Sequence, residues 1–210
     1  MTDQNTEVIL HVYRLSTPEG QWVVSLLPSI GMGAFHTSLE YQGSRYTFAA
    51  HSGIIRTSSR SEGVPTGATF QESIRLGKTA NQRGQVKKIL TKMGDLFGPD
   101  CYHLVHRNCN HFTETLATAL ILSDDDRLQK KSSRLSTYPA WVNRLAKTSQ
   151  SIVSHDPAIV PCDPWSEARS IMGITEESVK REKKLKKTRA EKKQLTDEQK
   201  AVLRKIRGGK

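Results

Sequence analysis

The strongest indication of the fold lies in YHLVHRNCNHFTETLATALIL, residues 102–122. Its second half predicts a helix with one buried face, because apolar residues repeat there at helical spacing: Phe112, Leu116, Ala119 and Leu120. Asn108 stands where an N-cap residue accepts hydrogen bonds from the first turn. Cys109 is therefore predicted to begin a helix, where the helix dipole and free backbone N–H groups favour a thiolate nucleophile.

Upstream of this stretch the sequence predicts an antiparallel sheet. Segments rich in β-branched and aromatic residues, or alternating in polarity, are typical of strands. Four such segments come first, the last of them after a QGSR turn at 42–45: EVILHVYRL (7–15), QWVVSLL (21–27), HTSLEY (36–41) and YTFAA (46–50).

Between these strands and residues 102–122 we expect a loop, a strand and a helix. Residues 52–69 are rich in Gly, Ser and Pro and predict a long irregular loop, followed by the strand TFQESIRLG at 69–77. Apolar residues at helical spacing predict a helix over 86–97, ended by Gly98 and Pro99. Further on, TYPAWVNRLAK (137–147) predicts a short helix that begins near Pro139.

The composition fits one soluble domain with a polar extension. The 210 residues are 36% hydrophobic, and the mean hydropathy is −0.54. No run approaches the roughly 18 apolar residues of a membrane helix, and the start MTDQNTEVIL lacks the features of a signal peptide. The three cysteines are too sparse for a disulfide framework. We therefore predict a protein of the cytoplasm, the nucleus or both, with no transmembrane segment.

The positive charge is concentrated at the C-terminal end. Residues 176–210 hold 14 basic and 6 acidic side chains, so they carry +8 of the net +11. Such a segment predicts a solvated helix or a disordered arm, which serves as a solubilising tail or contacts nucleic acid or another anionic surface. The final RGGK is similar to a modifier tail, but no ubiquitin-like domain precedes it, which favours a frayed end.

A catalytic cysteine needs a base, and the neighbouring sequence does not provide one. His111 lies two positions beyond Cys109, about 200° around a helix, so its ring points away from the thiol. Among the seven histidines, His36 is preferred because it opens a strand directly after GMGAF (31–35), whose small residues permit close approach.

A metal site is the competing interpretation of the same stretch. The spacing C-x-H-x2-H-x2-C-x-H joins Cys101, His103, His106, Cys109 and His111. If 102–106 is a strand, however, alternation places His106 on the opposite face from Cys101 and His103. We therefore predict neither a metal nor another cofactor.

Six segments together carry a family resemblance: HVY (11–13), GMGAFHTSLEY (31–41), HSGI (51–54), FQESIRLGKT (70–79), YHLVHRNCNHF (102–112) and YPAWVNRLA (138–146). In this order and spacing the sequence resembles the PPPDE peptidases, also called the desumoylating isopeptidase (DeSI) family, and is most similar to the second mammalian type. The resemblance covers about residues 7–147. It implies an α+β, circularly permuted papain-like fold, with an antiparallel sheet packed with helices.

The resemblance also implies the site and its reaction. His36 would be the base and Cys109 the nucleophile of a cysteine isopeptidase that removes ubiquitin or a small ubiquitin-like modifier from target lysines. The second oxyanion donor, beside the Cys109 N–H, would come from Asn108, Asn110 or a loop amide. One wall of a channel for a terminal diglycine is expected at the HSG turn: His51, Ser52 and Gly53.

Two other functions use the same domain. An S-acyl protein thioesterase, or depalmitoylase, would keep the dyad with an apolar acyl groove, and an adaptor would bind modifiers or nucleic-acid assemblies without turnover. A homodimer is suggested only by analogy with some family members. The predicted organisation is a flexible N-terminus, a peptidase domain, a polar linker and a basic tail: 1–6, 7–147, 148–175 and 176–210.

Overall fold

The computed structural model describes residues 7–15, 35–59, 64–79, 81, 83–122, 135, 137–144 and 161–207. Its strands are β1 (Glu7–Leu15), β2 (Phe35–Tyr41), β3 (Ser44–Ala49), β4 (Gly53–Ser58) and β5 (Ala68–Lys78). Its helices are α1 (Arg83–Leu96), α2 (Cys109–Ile121), α3 (Pro164–Ile171) and α4 (Glu176–Arg207), with a 3-10 turn at Pro99–Cys101. The predicted α+β class with an antiparallel sheet is confirmed.

The five strands form one sheet in the order β4-β3-β2-β1-β5, and all neighbours are antiparallel. The predicted turn between β2 and β3 is present: Gln42 and Gly43 have φ values of 48° and 71°. Two successive positive φ values match the right-handed twist of a tight hairpin. The strand predicted at 21–27 lies outside the described residues.

Two predictions upstream and downstream of α1 are wrong. The loop expected over 52–69 contains strand β4, because Gly53, at a φ of 69°, completes a tight turn that returns the chain along β3. The strand expected over 102–106 is a set of turns, closed by a single antiparallel bridge between His103 and Arg107. Short segments crowded with turn-forming or polar residues carry a weak periodic signal, which explains both errors.

Helix α2 is the centre of the core. It packs against the sheet and is buried on nearly every side. Phe112 from α2 meets Phe97, which follows α1, with ring centroids 5.3 Å apart, and Phe97 meets Phe48 of β3 at 5.2 Å. The predicted apolar face of α1 is also confirmed as core: Val86, Ile89 and Met93 are buried.

The segment predicted as a polar linker over 148–175 contains helix α3. Asp163 caps this helix and Pro164 occupies its first turn. Ala168 and Ile171 belong to the same hydrophobic core as α2. Arg107, before α2, binds Glu167 through two hydrogen bonds of 2.7 and 3.2 Å. The segment is thus tied to the domain, although the predicted domain boundaries stay a prediction.

The basic C-terminal segment is a helix, one of its two predicted states. Along α4 the described side chains beyond residue 179 are mostly exposed and charged. Between α2 and α3, residues 137–144 form a series of turns, and helical geometry is reached only at residue 144. No helix in the described part of the chain is both long and apolar enough to span a membrane.

Candidate active site

The first turn of α2 is fixed by its cap. The Asn108 side-chain oxygen accepts hydrogen bonds from the N–H groups of Asn110 and His111, at 3.0 and 3.1 Å. The Asn108 N–H donates to the His111 ring at 3.2 Å, which completes a capping box. Cys109 is the first helical residue, as predicted. The His111 ring is committed to the cap and is not available to the thiol.

His36 reaches Cys109 from strand β2. Its ring forms a hydrogen bond with the Cys109 sulfur. Burial disfavours the charged form of each side chain, but the charge and hydrogen bond of the partner have the larger combined effect. The pKa of Cys109 therefore lies below its ordinary value, and the pKa of His36 lies above its own. The Thr37 N–H, next along β2, also bonds the sulfur and lowers that pKa further. The pair therefore favours a thiolate beside an imidazolium.

The His36 ring is oriented by Thr47 of β3. The Thr47 hydroxyl donates its one proton to the Thr37 carbonyl oxygen at 2.7 Å. It must therefore accept at its contact with His36, where Nε2 donates over 2.9 Å. This bond assigns Nε2 to Thr47 and leaves Nδ1 for the cysteine. Thr47 thus holds the imidazole in a position to act on the thiol.

The Asn110 side chain connects three segments around the thiol: strand β2, the first turn of α2 and the 137–144 segment. Its side-chain oxygen accepts from the Thr37 hydroxyl of β2 at 2.9 Å. Its side-chain nitrogen donates to the carbonyl oxygens of Phe35 and Val142, at 3.3 and 3.2 Å. The Asn110 amide is committed to this structural role, and Asn108 similarly donates its side-chain nitrogen to the Leu104 carbonyl oxygen at 2.8 Å.

Two donors remain for an oxyanion. The N–H of Cys109 has no partner in the described part of the chain, whereas those of Asn108, Asn110, His111 and Phe112 are bonded.

The Tyr102 hydroxyl is within hydrogen-bonding reach of the sulfur, and burial together with the Cys109 charge raises the pKa of this phenol. Tyr102 therefore stays protonated and can donate. Its ring is held against Phe48, with centroids 5.1 Å apart.

A narrow cavity of about 60 Å³ opens onto the sulfur. Its walls come from the end of β1, the start of β2, the turns before α2, the first turn of α2 and the 137–144 segment: Leu15, Phe35, His36, Tyr102, Leu104, Asn108, Cys109, Asn110, Val142 and Asn143. A larger groove of about 530 Å³ lies between α1 and α3 and is lined by neither His36 nor Cys109. Chemistry rather than size therefore identifies the candidate site.

The predicted channel wall lies elsewhere. His51, Ser52 and Gly53 form the β3–β4 turn, and the His51 N–H donates to the Pro99 carbonyl oxygen at 3.2 Å. These three residues are absent from the described lining of the cavity, so the structure does not bring them to the thiol.

The structure does not support the sequence-based argument against a metal site. His103 and His106 do not lie on opposite faces of a strand; within the turns their rings are 4.7 Å apart. The argument from strand alternation is therefore wrong. Among the described residues, no group of three or more histidine, cysteine or acidic side chains could hold a metal ion.

Several residues at the site were not assigned a role from the sequence, among them Thr37, Thr47, Tyr102 and Asn143. Tyr102 and Asn143 stand inside motifs that carried the family resemblance, YHLVHRNCNHF and YPAWVNRLA. Their proximity to the thiol depends on how separate segments pack together. Position within those motifs could have suggested Tyr102 and Asn143, whereas Thr47 lies outside all six motifs.

Comparison with known proteins identifies a peptidase family. The PPPDE putative peptidase domain matches residues 6–159. The chain is 33% identical over 158 residues to the desumoylating isopeptidase 1 homolog of Caenorhabditis elegans, covering 73% of this chain and 42% of that protein. It is 34% identical over 146 residues to a DeSI-like protein of Arabidopsis thaliana, covering 68% of this chain and 56% of that protein.

A third relative is covered more fully. The chain is 30% identical over 154 residues to a DeSI-like protein of Schizosaccharomyces pombe, covering 70% of this chain and 75% of that protein. By contrast, it spans only about half the length of the nematode and plant relatives. The family recognised from the motifs is confirmed: the chain belongs to the PPPDE putative peptidase domain family, whose relatives here are DeSI proteins.

Proposed function

We propose that this protein is a cysteine isopeptidase that removes ubiquitin or a small ubiquitin-like modifier from target lysines. The observation that carries the proposal is the hydrogen-bonded pair of His36 and Cys109 at the start of α2. A thiolate next to an imidazolium is both a nucleophile and a ready proton donor. The names of the relatives support the substrate class, since one is a desumoylating isopeptidase homologue.

In the acylation half, the Cys109 thiolate attacks the carbonyl carbon of the isopeptide bond, and the charge moves to the carbonyl oxygen. The Cys109 N–H and the Tyr102 hydroxyl stabilise that oxyanion. When the tetrahedral intermediate collapses, the carbon–nitrogen bond breaks, and the His36 imidazolium gives its proton to the departing lysine amine. The modifier remains attached to the sulfur as a thioester.

In the deacylation half, neutral His36 removes a proton from water as the water oxygen adds to the thioester carbonyl. The same two donors hold the second oxyanion. The carbon–sulfur bond then breaks and restores the thiolate beside the imidazolium. The modifier leaves with a free carboxylate. Throughout both halves, Thr47 keeps the imidazole in one orientation.

We also propose that the fold is a circularly permuted papain-like one. The order of the site residues supports this, because the base on β2 precedes the nucleophile at the start of α2. The homodimer, the cellular location in cytoplasm or nucleus, and a contact of the basic tail with nucleic acid or another anionic surface stay predictions.

The experiment is intact-mass analysis after incubation with ubiquitin and small-modifier probes that carry a C-terminal electrophile. We expect a covalent adduct with the unmodified protein, its loss in Cys109→Ala and slower formation in His36→Ala. The matched control is Cys101→Ala, because Cys101 is an exposed thiol only eight positions upstream. It should label like the parent protein.

Other outcomes separate the alternatives. A folded protein that binds modifiers equally well with and without the Cys109 thiol, and forms no adduct, would be an adaptor. A protein that ignores modifier probes but hydrolyses fatty acyl thioesters through Cys109 would be a thioesterase. Adduct formation that survives in Cys109→Ala but is lost in Cys101→Ala would contradict the proposed nucleophile.

A further inference from the structure

A buried amide beside the nucleophile lacks a hydrogen-bond partner. Asn143 is only 1% exposed, and its side-chain oxygen has no partner in the part of the chain that the structure describes. Buried polar groups are nearly always paired, because leaving one unpaired forfeits its hydration without replacement. An orphaned acceptor at this position therefore calls for a donor that is supplied by something else.

The residue that carries the orphaned oxygen lines the catalytic cavity. Asn143 lines the same cavity of about 60 Å³ as His36 and Cys109. The other buried side-chain atoms without a partner in the described chain are on Ser38 and His106, and neither residue lines that cavity. Of these three residues, Asn143 alone lines the cavity.

The wall that carries Asn143 is held in place. The preceding carbonyl oxygen, of Val142, accepts from the Asn110 side chain at 3.2 Å. Trp141 packs edge-on against Phe35 of β2, with centroids 4.8 Å apart. The acceptor is therefore set before any ligand arrives, which reduces the ordering required on binding.

The cavity limits what the donor can be. Its volume admits a few water-sized groups and so accommodates a main chain with little or no side chain. A peptide that ends in glycine residues offers a backbone N–H in that space. A fatty acyl chain offers no donor and would leave the Asn143 oxygen unpaired.

We propose that the Asn143 side-chain oxygen accepts a hydrogen bond from the backbone N–H of the residue that provides the scissile carbonyl. The site thereby selects glycine-ended peptidyl groups over fatty acyl groups. This inference rests on the proposed function and specifies its acyl substrate. A site that is built to bond a substrate N–H discriminates strongly against an analogue without it.

The test compares a diglycine-ended peptide with an analogue in which the N–H of the final glycine is replaced by an ester oxygen. Release of a C-terminal fluorophore gives kcat/KM, and titration of the two peptides against Cys109→Ala gives binding without turnover. We expect at least a tenfold preference for the amide in both measurements. Asn143→Leu should remove this preference, both in the turnover of the otherwise active protein and in the binding by the Cys109→Ala protein.

Val142→Ala is the matched control. It alters the volume of the same wall without removing a side-chain acceptor, so the amide-to-ester preference should persist even where the absolute rate falls. Thermal unfolding of each variant establishes that it is folded. If Asn143→Leu does not fold, the parent protein alone tests the inference. Equal rates and equal affinities for the amide and the ester peptides would then contradict it.

The remaining outcomes separate this inference from the proposed function. A preference that survives in folded Asn143→Leu, or faster hydrolysis of a fatty acyl thioester than of the diglycine substrate, overturns the role of Asn143. If no substrate is turned over but the Cys109→Ala protein binds with an Asn143-dependent preference, the isopeptidase proposal fails while the amide-binding site stands.

Discussion

Two helices of this protein differ in what holds them. Helix α2 begins at Cys109 inside a buried network of side chains contributed by β2, the preceding turns and the 137–144 segment. Helix α4 carries exposed lysines, and the two ion pairs described along it join residues one turn apart, as between Lys187 and Glu191, 4.0 Å apart. The structure of α2 therefore depends on contacts with residues distant in the sequence, whereas that of α4 depends mainly on its own sequence and on solvation.

The difference determines where chemistry can occur. In α2 the polar groups are desolvated, so hydrogen bonds and charges act at low effective dielectric and shift pKa values. Along α4 the charged side chains that the structure describes are mostly exposed, so water and salt screen them. Substitutions around α2 should therefore have large, specific effects, and those along α4 small, general ones.

The largest effect is expected from His36→Ala. Loss of the proposed base should reduce turnover by about 10²- to 10⁴-fold. Because His36 lowers the pKa of Cys109 against the opposing effect of burial, its removal should move the midpoint of thiol alkylation to higher pH. The measurement is the chloroacetamide alkylation rate against pH in a Cys101→Ala background. An unchanged midpoint would show that His36 does not stabilise the thiolate.

Tyr102→Phe should separate oxyanion stabilisation from thiolate stabilisation. Loss of one oxyanion donor reduces turnover by roughly 10²-fold or more. Alkylation forms no oxyanion, so above the thiol midpoint its rate should change by only about threefold or less. Both rates are measured on the same protein at the same pH. Equal decreases in the two would assign Tyr102 to the thiolate alone.

Arg107→Ala tests the connection between the turns before α2 and helix α3. Arg107 and Glu167 are 15% and 16% exposed at the side chain, so removal of the cation leaves a largely buried carboxylate unpaired. We expect a loss of about 2 kcal/mol in the free energy of unfolding, measured in urea. Arg75→Ala is the control, because Arg75 is 78% exposed in its ion pair with Glu7. It should change stability by less than about 0.5 kcal/mol.

The same contrast explains what the sequence could predict. Local periodicity predicted α1 and α2, and the Asn108 cap placed Cys109 at a helix start. The pairing of His36 with Cys109 depends on β2 packing against α2, and the residues alone gave only a preference that the family resemblance strengthened. Thr47 and Asn143 were missed because their partners, or the lack of one, exist only after folding.

A smaller effect is expected from Thr47→Val, which removes the acceptor for His36 Nε2. For the neutral His36 that acts as base in deacylation, such a hydrogen bond contributes about 0.5–1.5 kcal/mol, so turnover should fall by up to about tenfold. Thr47→Ser retains the hydroxyl and should restore most of the rate. Turnover of both variants is measured across the pH range to distinguish orientation of the imidazole from packing. If Thr47→Ser and Thr47→Val lower the rate equally without altering its pH dependence, Thr47 acts through packing only.

The smallest effect is expected in α4, from Lys187→Gln. This side chain is 80% exposed and its ion pair with Glu191 is local, so the free energy of unfolding should change by less than about 0.5 kcal/mol and less still at high salt. Val179→Ala in the same helix provides the contrast, because Val179 is buried and its truncation should cost about 1–2 kcal/mol. Urea unfolding at two salt concentrations measures both. A larger, salt-sensitive loss for Lys187→Gln than for Val179→Ala would mean that charge rather than packing secures α4, and the contrast between the two helices would fail.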